Sequence, residues 1–440
     1  MSQRASGSIL KRLIKGGAAA LLVKVASAVL SFVMFIFIAR GMSPESFALF
    51  GFGFSAATLI VLGGSVGQRK ATLRFVPIYQ ERDDQASQRG QVRRGYITVT
   101  FGCLVLGLLF VGLSNLFASL TGGAYAWSVA FFALVLGLAE YQAHVLRSHG
   151  KIVLAFAPRE VIWRAAVTGL FAIPAFSLAP PIDVTIGFGI IAIILLGLTL
   201  LQGRIHPSTR PQALISDAVD MTDQPLWLRS GLIFCGTGLL RAATPNVAML
   251  LIGVMLPQEG GAFFAALRLA MVVNLVEVAS HMLAMPMLSA AHERGDKTSV
   301  HSISRFVAVA TAVPALAFFL FLLFAGDWAL GLYAAEFSHA QSVLVLIAGG
   351  HLFKCLCGPG AALLQMMGQE AQFLRLALFV SGSVLLSLVP LIWMFGLYGA
   401  ALATGLELAL IGGLACWVAR RKLGVDSSIL GLFRAIESAP

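Results

Sequence analysis

The chain has 440 residues, of which 58% are hydrophobic and only 12% charged, and its mean hydropathy is +0.88. Soluble domains average about 45–50% apolar and about 25% charged residues, so this composition excludes a soluble globular protein and implies a polytopic membrane protein. The net charge of +11 does not indicate nucleic-acid binding, because the basic residues concentrate between the apolar segments.

Arg4, Lys11, Arg12 and Lys15 precede an apolar run and mimic a signal peptide. The run continues to Ala39, longer than a signal core, with no clear cleavage site after it, which predicts a retained first span. About 20 apolar residues cross a bilayer. That criterion predicts about twelve helical spans, an all-α chain. The first half holds 17–39, 46–67, 95–117, 124–146, 157–179 and 183–202. A polar linker, 203–226, follows, and the second half holds 227–252, 261–288, 303–325, 339–358, 371–394 and 397–418. The expected organisation is therefore a six-helix bundle over 1–202, a cytoplasmic linker over 203–226, a second bundle over 227–418 and a cytoplasmic tail over 419–440.

One set of loops carries Arg69, Lys70, Arg74, Arg82, Arg89, Arg93 and Arg94, then Arg147 and Lys151, Arg204 and Arg210, Arg294 and Lys297, and the tail Arg420, Arg421 and Lys422. The opposite loops hold Arg40 and mostly acids: Glu45, Asp183, Glu259, Asp327 and Glu336. Basic loops face the cytoplasm, so both termini are expected there. The stretch Ile38–Phe50 lies over Ile252–Phe264 at one fixed offset, with Ile, Glu, Ala and Phe coinciding, and Glu81-Arg82-Asp83-Asp84 faces Glu293-Arg294-Gly295-Asp296 at nearly that offset. Two halves repeated in the same order are common in transporters.

Charges within spans cost at least about 2.5–3.5 kcal/mol each near the centre, so they face a protein interior or a wet cavity. Lys24 is either a snorkelling side chain or a cavity cation. Thr237, Arg241 and Thr244 share a helical face, followed by the kinking Pro245 and by Asn246; Arg241 is a cavity cation or half of a structural ion pair. Arg268 lies nearer the outer end of its span. Asn274, Glu277 and His281 share another face, where Glu277 carries a proton or neutralises Arg241 or Arg268. Glu407 is a second proton-site candidate, with structural pairing as its plainer reading. Glu140, His144 and Arg147, and the pair Glu160 and Arg164, read mainly as anchoring. Gly358-Pro359-Gly360 is expected to break a helix beside His351 and Lys354. The five cysteines fit no metal site and are expected as buried free thiols. No catalytic set, metal cluster or nucleotide-binding loop is present in the sequence, so no enzyme, metal or cofactor is expected, and energy must come from an ion gradient, the membrane potential or the substrate gradient.

Several segments resemble polysaccharide transporters, the Wzx-type flippases of the multidrug/oligosaccharidyl-lipid/polysaccharide exporter superfamily. Ala39-Arg40-Gly41-Met42 through Phe47-Ala48-Leu49-Phe50 is similar to their entry to the second helix, with Ala48 where Gly is usual. Asn246–Gly253 resembles their seventh-helix segment, Gly261-Ala262-Phe263-Phe264-Ala265-Ala266-Leu267-Arg268-Leu269-Ala270 their eighth, and Gly368-Gln369 with Gly396–Thr404 and Arg421–Gly424 their C-terminal part. The resemblance implies two six-helix bundles around a central cavity, alternating access, and a lipid-linked oligosaccharide as substrate in the bacterial inner membrane, with a polysaccharide polymerase and a chain-length regulator as candidate partners. Many drug exporters of the superfamily rely on an acid in the first helix; here that span carries Lys24 and no acid, which turns the expectation toward an anionic lipid phosphate. Lys24, Arg241, Arg268 and Asn246 are then the expected substrate-binding residues, and Glu277, His281 and Glu407 the expected ion-coupling residues. The alternatives are an ion-coupled multidrug antiporter, a peptidoglycan-precursor flippase, and a membrane-embedded glycan polymerase or ligase, which usually presents a large outer loop that this chain lacks.

Overall fold

A computed structural model describes residues 26–116, 123–210 and 219–432. The described residues form helices joined by short loops, as expected for an all-α polytopic membrane protein, and nine of those helices are long and apolar enough to span a bilayer. Large apolar side chains such as Leu386, Trp393, Phe379 and Phe306 stand on the surface, which hydrocarbon tolerates and water does not.

By its contacts the described chain divides into two compact units, one ending at Gly261 and one beginning at Ala262. The first contains α1 (Ala26–Gly41), α2 (Pro44–Gly64), the amphipathic α3 (Gln68–Glu81), α4 (Gln85–Leu116) and α5 (Gly123–Ser148). Next come the short α6 (Ile152–Phe156), a π-helical turn (Ala157–Trp163), α7 (Arg164–Ala175), α8 (Val184–Ile205) and α9 (Gln224–Met255). The second unit contains α10 (Gly260–Glu293), α11 (Lys297–Gly331), α12 (Gln341–Leu356), α13 (Gly360–Met366), α14 (Glu370–Phe395) and α15 (Leu397–Leu423). Helix α9, expected to open the second bundle, packs along α2 and α3 of the first unit.

Local chemistry sets the helix ends. Ser43 caps α2, its hydroxyl accepting from the Ser46 amide at 3.2 Å, with Pro44 at the first position and Glu45 in the first turn, where an acid suits the helix dipole. Asp183 caps α8 and Asp296 caps α11 in the same way. The expected span 303–325 ends where α11 breaks, at Ala325, whose φ of −127° and ψ of 19° leave the helical region. The expected break at 358–360 is present: α12 ends at Leu356, Gly358 has a φ of +67°, and α13 starts at Gly360. The expected span 157–179 differs most. It is a composite of α6, the π turn and α7, and it ends at Ala175 before Ser177 turns left-handed with φ +59°. Pro158 lacks an amide proton and opens this irregular run.

The first unit packs around aromatic rings. Phe50 stacks on Phe188 with centroids 5.0 Å apart, Phe132 lies 5.5 Å from Phe188, and the indole of Trp163 donates to the Ile191 carbonyl at 3.0 Å. In the second unit Leu288, Val300, Val307, Leu363, Leu364, Ala415 and Ala419 form a buried cluster that joins α10, α11, α13 and α15. Backbones approach closely where both partners are small. A Cβ added to Gly350 of α12 would lie 2.4 Å from the Gly405 carbonyl oxygen of α15.

Gly350→Val therefore forces α12 and α15 apart. It should lower the thermal unfolding temperature of the detergent-purified protein by more than ordinary core overpacking, which costs about 1–3 kcal/mol. Gly382→Ala, at a position with open space around its would-be Cβ, should raise it slightly, since Gly within a helix costs about 0.5–1 kcal/mol relative to Ala. Thermal melting of both variants beside the wild type checks the pair.

Candidate functional site

The first unit buries a charged network that local spacing shows only in part. Glu160, 2% exposed in the π turn, pairs with Arg164 at 3.0 Å, as their four-residue spacing predicts. It also pairs with its neighbour Arg159 and accepts from the Ser27 hydroxyl of α1. Arg164 Nη1 donates to the Ser27 carbonyl at 2.5 Å. Arg159 reaches back to Glu140 of α5 at 2.7 Å, and Glu140 takes Arg69 of α3 as a second partner. Arg147, one turn from His144 on α5, instead lies over the Phe156 ring at 5.1 Å. With three arginines and two glutamates, these members carry one excess positive charge. The π turn carries one residue more than an α-helix would, which lets Arg159 and Glu160, adjacent in sequence, both enter the network. Ser27, Arg69 and Arg159 were missed by sequence reasoning: each joins through a partner on another element, and no spacing rule connects α1 or α3 to the π turn.

Of the expected substrate-binding residues, Lys24 lies outside the described residues. Arg241 sits in the middle of α9, exposed, and has no ion-pair partner among the described residues. Thr244, expected on the same face, is fully buried and its hydroxyl has no hydrogen-bond partner among the described residues. Thr237 donates to the Phe234 carbonyl of its own helix. Pro245 cannot donate to the carbonyl four residues back, which is that of Arg241, so the helix ladder is open at that point. Asn246 is buried and turns its amide to the Ala242 carbonyl at 2.7 Å. Arg268, on α10, lies over the Phe264 ring at 4.6 Å from its centroid.

Among the expected ion-coupling residues, Glu277 of α10 pairs with Lys354 of α12 at 3.0 Å. His351, 7% exposed, lies one turn before Lys354 on α12. The expected neutralisation of Glu277 thus comes from Lys354, which the sequence placed only near a helix break. The side chains of His281 and Asn274 lie outside the described residues. Glu407 of α15 is 5% exposed and accepts from Ser381 of α14 at 2.5 Å. Glu277 and Glu407 occupy different helix pairs, α10 with α12 and α15 with α14. All five cysteines are free; Cys103, Cys355 and Cys357 are buried and Cys235 and Cys416 partly so.

Between spans, two polar clusters tie the first unit together. The Tyr79 hydroxyl donates to Asp223 at 2.6 Å and accepts from the Trp227 indole at 2.8 Å, which fastens α3 to the start of α9. Burial, then the contact with Asp223, pushes the Tyr79 phenol up to about 12. His149, after α5, meets the Gln88 side chain at 2.6 Å and the His206 ring at 5.3 Å. Burial first, and for His206 the charges of His149, Lys151 and Arg210 next, hold both imidazoles below the usual histidine range.

The family model described as polysaccharide biosynthesis protein matches residues 13–292. None of the curated proteins matches. Among solved structures, an inward-facing multidrug resistance MATE family transporter of the MOP superfamily aligns with a TM-score of 0.69 at 15% identity, over 92% of this chain and 98% of that one. A Vibrio cholerae MATE transporter, VcmN, aligns with a TM-score of 0.62 at 17% identity, over 96% and 98%. A MOP superfamily transporter from Pyrococcus furiosus, for which reversed polarity of the binding pocket suggested a different function, aligns with a TM-score of 0.61 at 14% identity, over 96% of each chain. At these identities the likeness is one of fold.

Removing one partner of a buried ion pair costs about 3–5 kcal/mol. Glu160→Ala takes the carboxylate from Arg164 and Ser27 and leaves Arg159 with Glu140 alone, so it should fall at the upper end and sharply reduce the folded fraction recovered in detergent, as read by size-exclusion chromatography. The histidine pair sets a pH dependence. Both groups have folded values below the unfolded value of about 6.5, so below that pH the unfolded chain binds more protons and stability falls. The melting temperature should drop between pH 7.5 and 5.5, and His149→Gln should flatten part of that drop.

Proposed function

Since the chain belongs to the polysaccharide biosynthesis protein family and has the fold of MOP superfamily transporters, we propose that it flips an undecaprenyl-diphosphate-linked oligosaccharide across the bacterial inner membrane, for lipopolysaccharide or exopolysaccharide synthesis. Both termini lie in the cytoplasm, on the side of the basic loops. The two six-helix halves work by alternating access; the sugar crosses in an aqueous passage while the lipid tail stays in the bilayer. A polysaccharide polymerase and a chain-length regulator act on the product.

The observation that carries this reading is Arg241. A guanidinium in the middle of a span, without an acid to neutralise it among the described residues, is matched to an anion that visits rather than to one that stays. Guanidinium groups bind phosphate oxygens in paired hydrogen bonds, and each charged contact contributes about 1.5–3 kcal/mol. Lys24 and Arg268 are the further cations, and Asn246 stands beside the open carbonyl of Arg241. Glu277, held by Lys354, or Glu407, held by Ser381, couples the cycle to an ion, with His281 as a third candidate.

The multidrug antiporter keeps one supporting observation, the MATE transporters among the similar folds. A cationic drug would meet Lys24 in the first span, where the sequence holds no acid from 17 to 39, and Arg241 deep in α9. That field opposes a cation and attracts a phosphate.

Arg241→Ala should abolish surface polysaccharide in a producing strain while the membrane level of the protein stays normal. The lost contact corresponds to about a 10–100-fold weaker phosphate interaction. Normal polysaccharide in that mutant refutes the assigned role. Raised resistance to cationic dyes on expression, in a host without the glycan genes, would move the assignment to the antiporter.

A further inference from the structure

Helices α2 and α3 of the first unit meet at a corner whose backbone is unusual. Val66 has a φ of +42° and Gly67 a φ of +67°. A β-branched residue avoids this left-handed region, and such outliers persist only where the surroundings hold them. Here the surroundings are α9. A Cβ on Gly67 would lie 2.0 Å from the Gly231 carbonyl oxygen and 2.8 Å from the Cys235 amide nitrogen, so the corner sits on the α9 backbone. The far end of α3 is pinned to the same helix through Tyr79 and Trp227.

Between these two anchors stand Arg69 and Lys70, and they meet different surroundings. Arg69 turns to Glu140 and is neutralised. Lys70 is exposed, and its ammonium lies 5.9 Å from the centroid of the Phe234 ring on α9. Phe234 and Arg241 are seven residues apart, two turns along one face of α9 and about 10 Å along its axis. Although the Lys70 side chain reaches the surface, partial burial first, then the like charges of Arg241 and Arg69, hold its ammonium below the ordinary value. Neither cation has an acidic partner among the described residues. Lys70 beside the Phe234 ring and Arg241 two turns further along the same face thus form a row of two cations without an acidic partner among the described residues.

We propose that Lys70 and Arg241 form a two-cation site for a diphosphate head group, at which the substrate is taken up from the side of the basic loops. The proposal rests on the reading that the substrate is a lipid diphosphate. The two cations are complementary in chemistry: Arg241 offers a planar pair of donors to one phosphate, and Lys70 a compact charge on a flexible stem to the other. In the structure the Lys70 ammonium stands by the Phe234 ring, on the face of α9 that also carries Arg241, and its flexible stem lets it turn from the ring toward the ligand. Arg69, adjacent in sequence and already paired, takes no part.

The test uses the full chain in phosphatidylcholine nanodiscs, with undecaprenyl diphosphate as the probe and its binding followed by native mass spectrometry. Lys70→Gln and Arg241→Gln should each weaken binding about tenfold or more, and Lys70→Arg should retain most of it. Raising the salt should weaken the wild type more steeply than Lys70→Gln, because one fewer charge meets the ligand; this readout separates a lost contact from a perturbed fold, which would leave the salt slope unchanged. Phosphatidylglycerol in excess should not displace the probe. Equal displacement by phosphatidylglycerol would assign the pair to bulk anionic lipid and overturn the proposal. If Arg241→Gln loses binding while Lys70→Gln binds like the wild type, the two-cation site falls and the flippase reading stands. Absence of binding by the wild type would sink both.

Discussion

A charge inside a hydrocarbon layer must be satisfied locally, because no water is there to do it, and this constraint orders most of the first unit. Glu140 and Glu160 each take two arginine partners, and Ser27 supplies a hydroxyl and a carbonyl to the same cluster. Five elements, α1, α3, α5, the π turn and α7, are thereby held to one geometry. The network is specific in a way that apolar packing is not. Leucines slide past one another at little cost, whereas a carboxylate moved by an ångström loses its arginine. A buried ionic cluster is a weak source of net stability, since desolvation consumes much of its attraction. Its use here is to fix register: α3 lies in one place relative to α5 because Arg69 has one partner to reach.

That positioning would be impossible with bulky residues at the crossings. Gly64 of α2 lies against Gly102 and Cys103 of α4, where an added Cβ would stand 2.7 Å from backbone atoms. Gly67 meets Gly231 on α9 in the same manner. Close backbone approach brings short polar chains into range of one another and leaves long ones room to extend sideways. The glycines and the charges thus act together: the small residues set the distance between helices, and the ion pairs set their offset along the axis.

Much of this was legible in sequence, and what was not has a physical cause. The spans were readable because hydrocarbon demands about 20 apolar residues regardless of the fold, and every expected span has a described helix on at least part of its length. The break at Gly358-Pro359-Gly360 follows from backbone chemistry, whereas the kink at Ala325, inside a helix that runs on to Gly331, had no such signal. The pair Glu160–Arg164 follows from helical spacing. The partners of Glu140 and Glu277 did not, because Arg69, Arg159 and Lys354 come from other helices or from the loops. Spacing along one helix says which residues share a face and is silent about what faces them. The π turn was illegible for a related reason: Pro158 marks an irregularity, but the extra residue is fixed by the tertiary partners of Arg159 and Glu160. Thr244 shows the limit within a single helix. It shares a spacing row with Arg241, yet one is fully buried and the other exposed, because a face about 100° wide has two edges and the neighbours decide which edge is covered.

The acids of the two units have partners of different chemistry. In the first unit the acids are outnumbered: Glu140 and Glu160 share three arginines, and protonating either would leave cations crowded together without relief. In the second unit Glu277 pairs with the ammonium of Lys354, and Glu407 accepts from the hydroxyl of Ser381. A carboxylate bonded to a hydroxyl loses little when it takes a proton, because the serine can turn its lone pair to the new acid hydrogen. A carboxylate bonded to one ammonium loses a charge pair but leaves a lysine whose own proton can depart, so the pair can change state with no net change of charge. The arginine-rich network of the first unit, spread over several elements, is suited to holding shape, whereas the pairs Glu277–Lys354 and Glu407–Ser381 each join one helix to another.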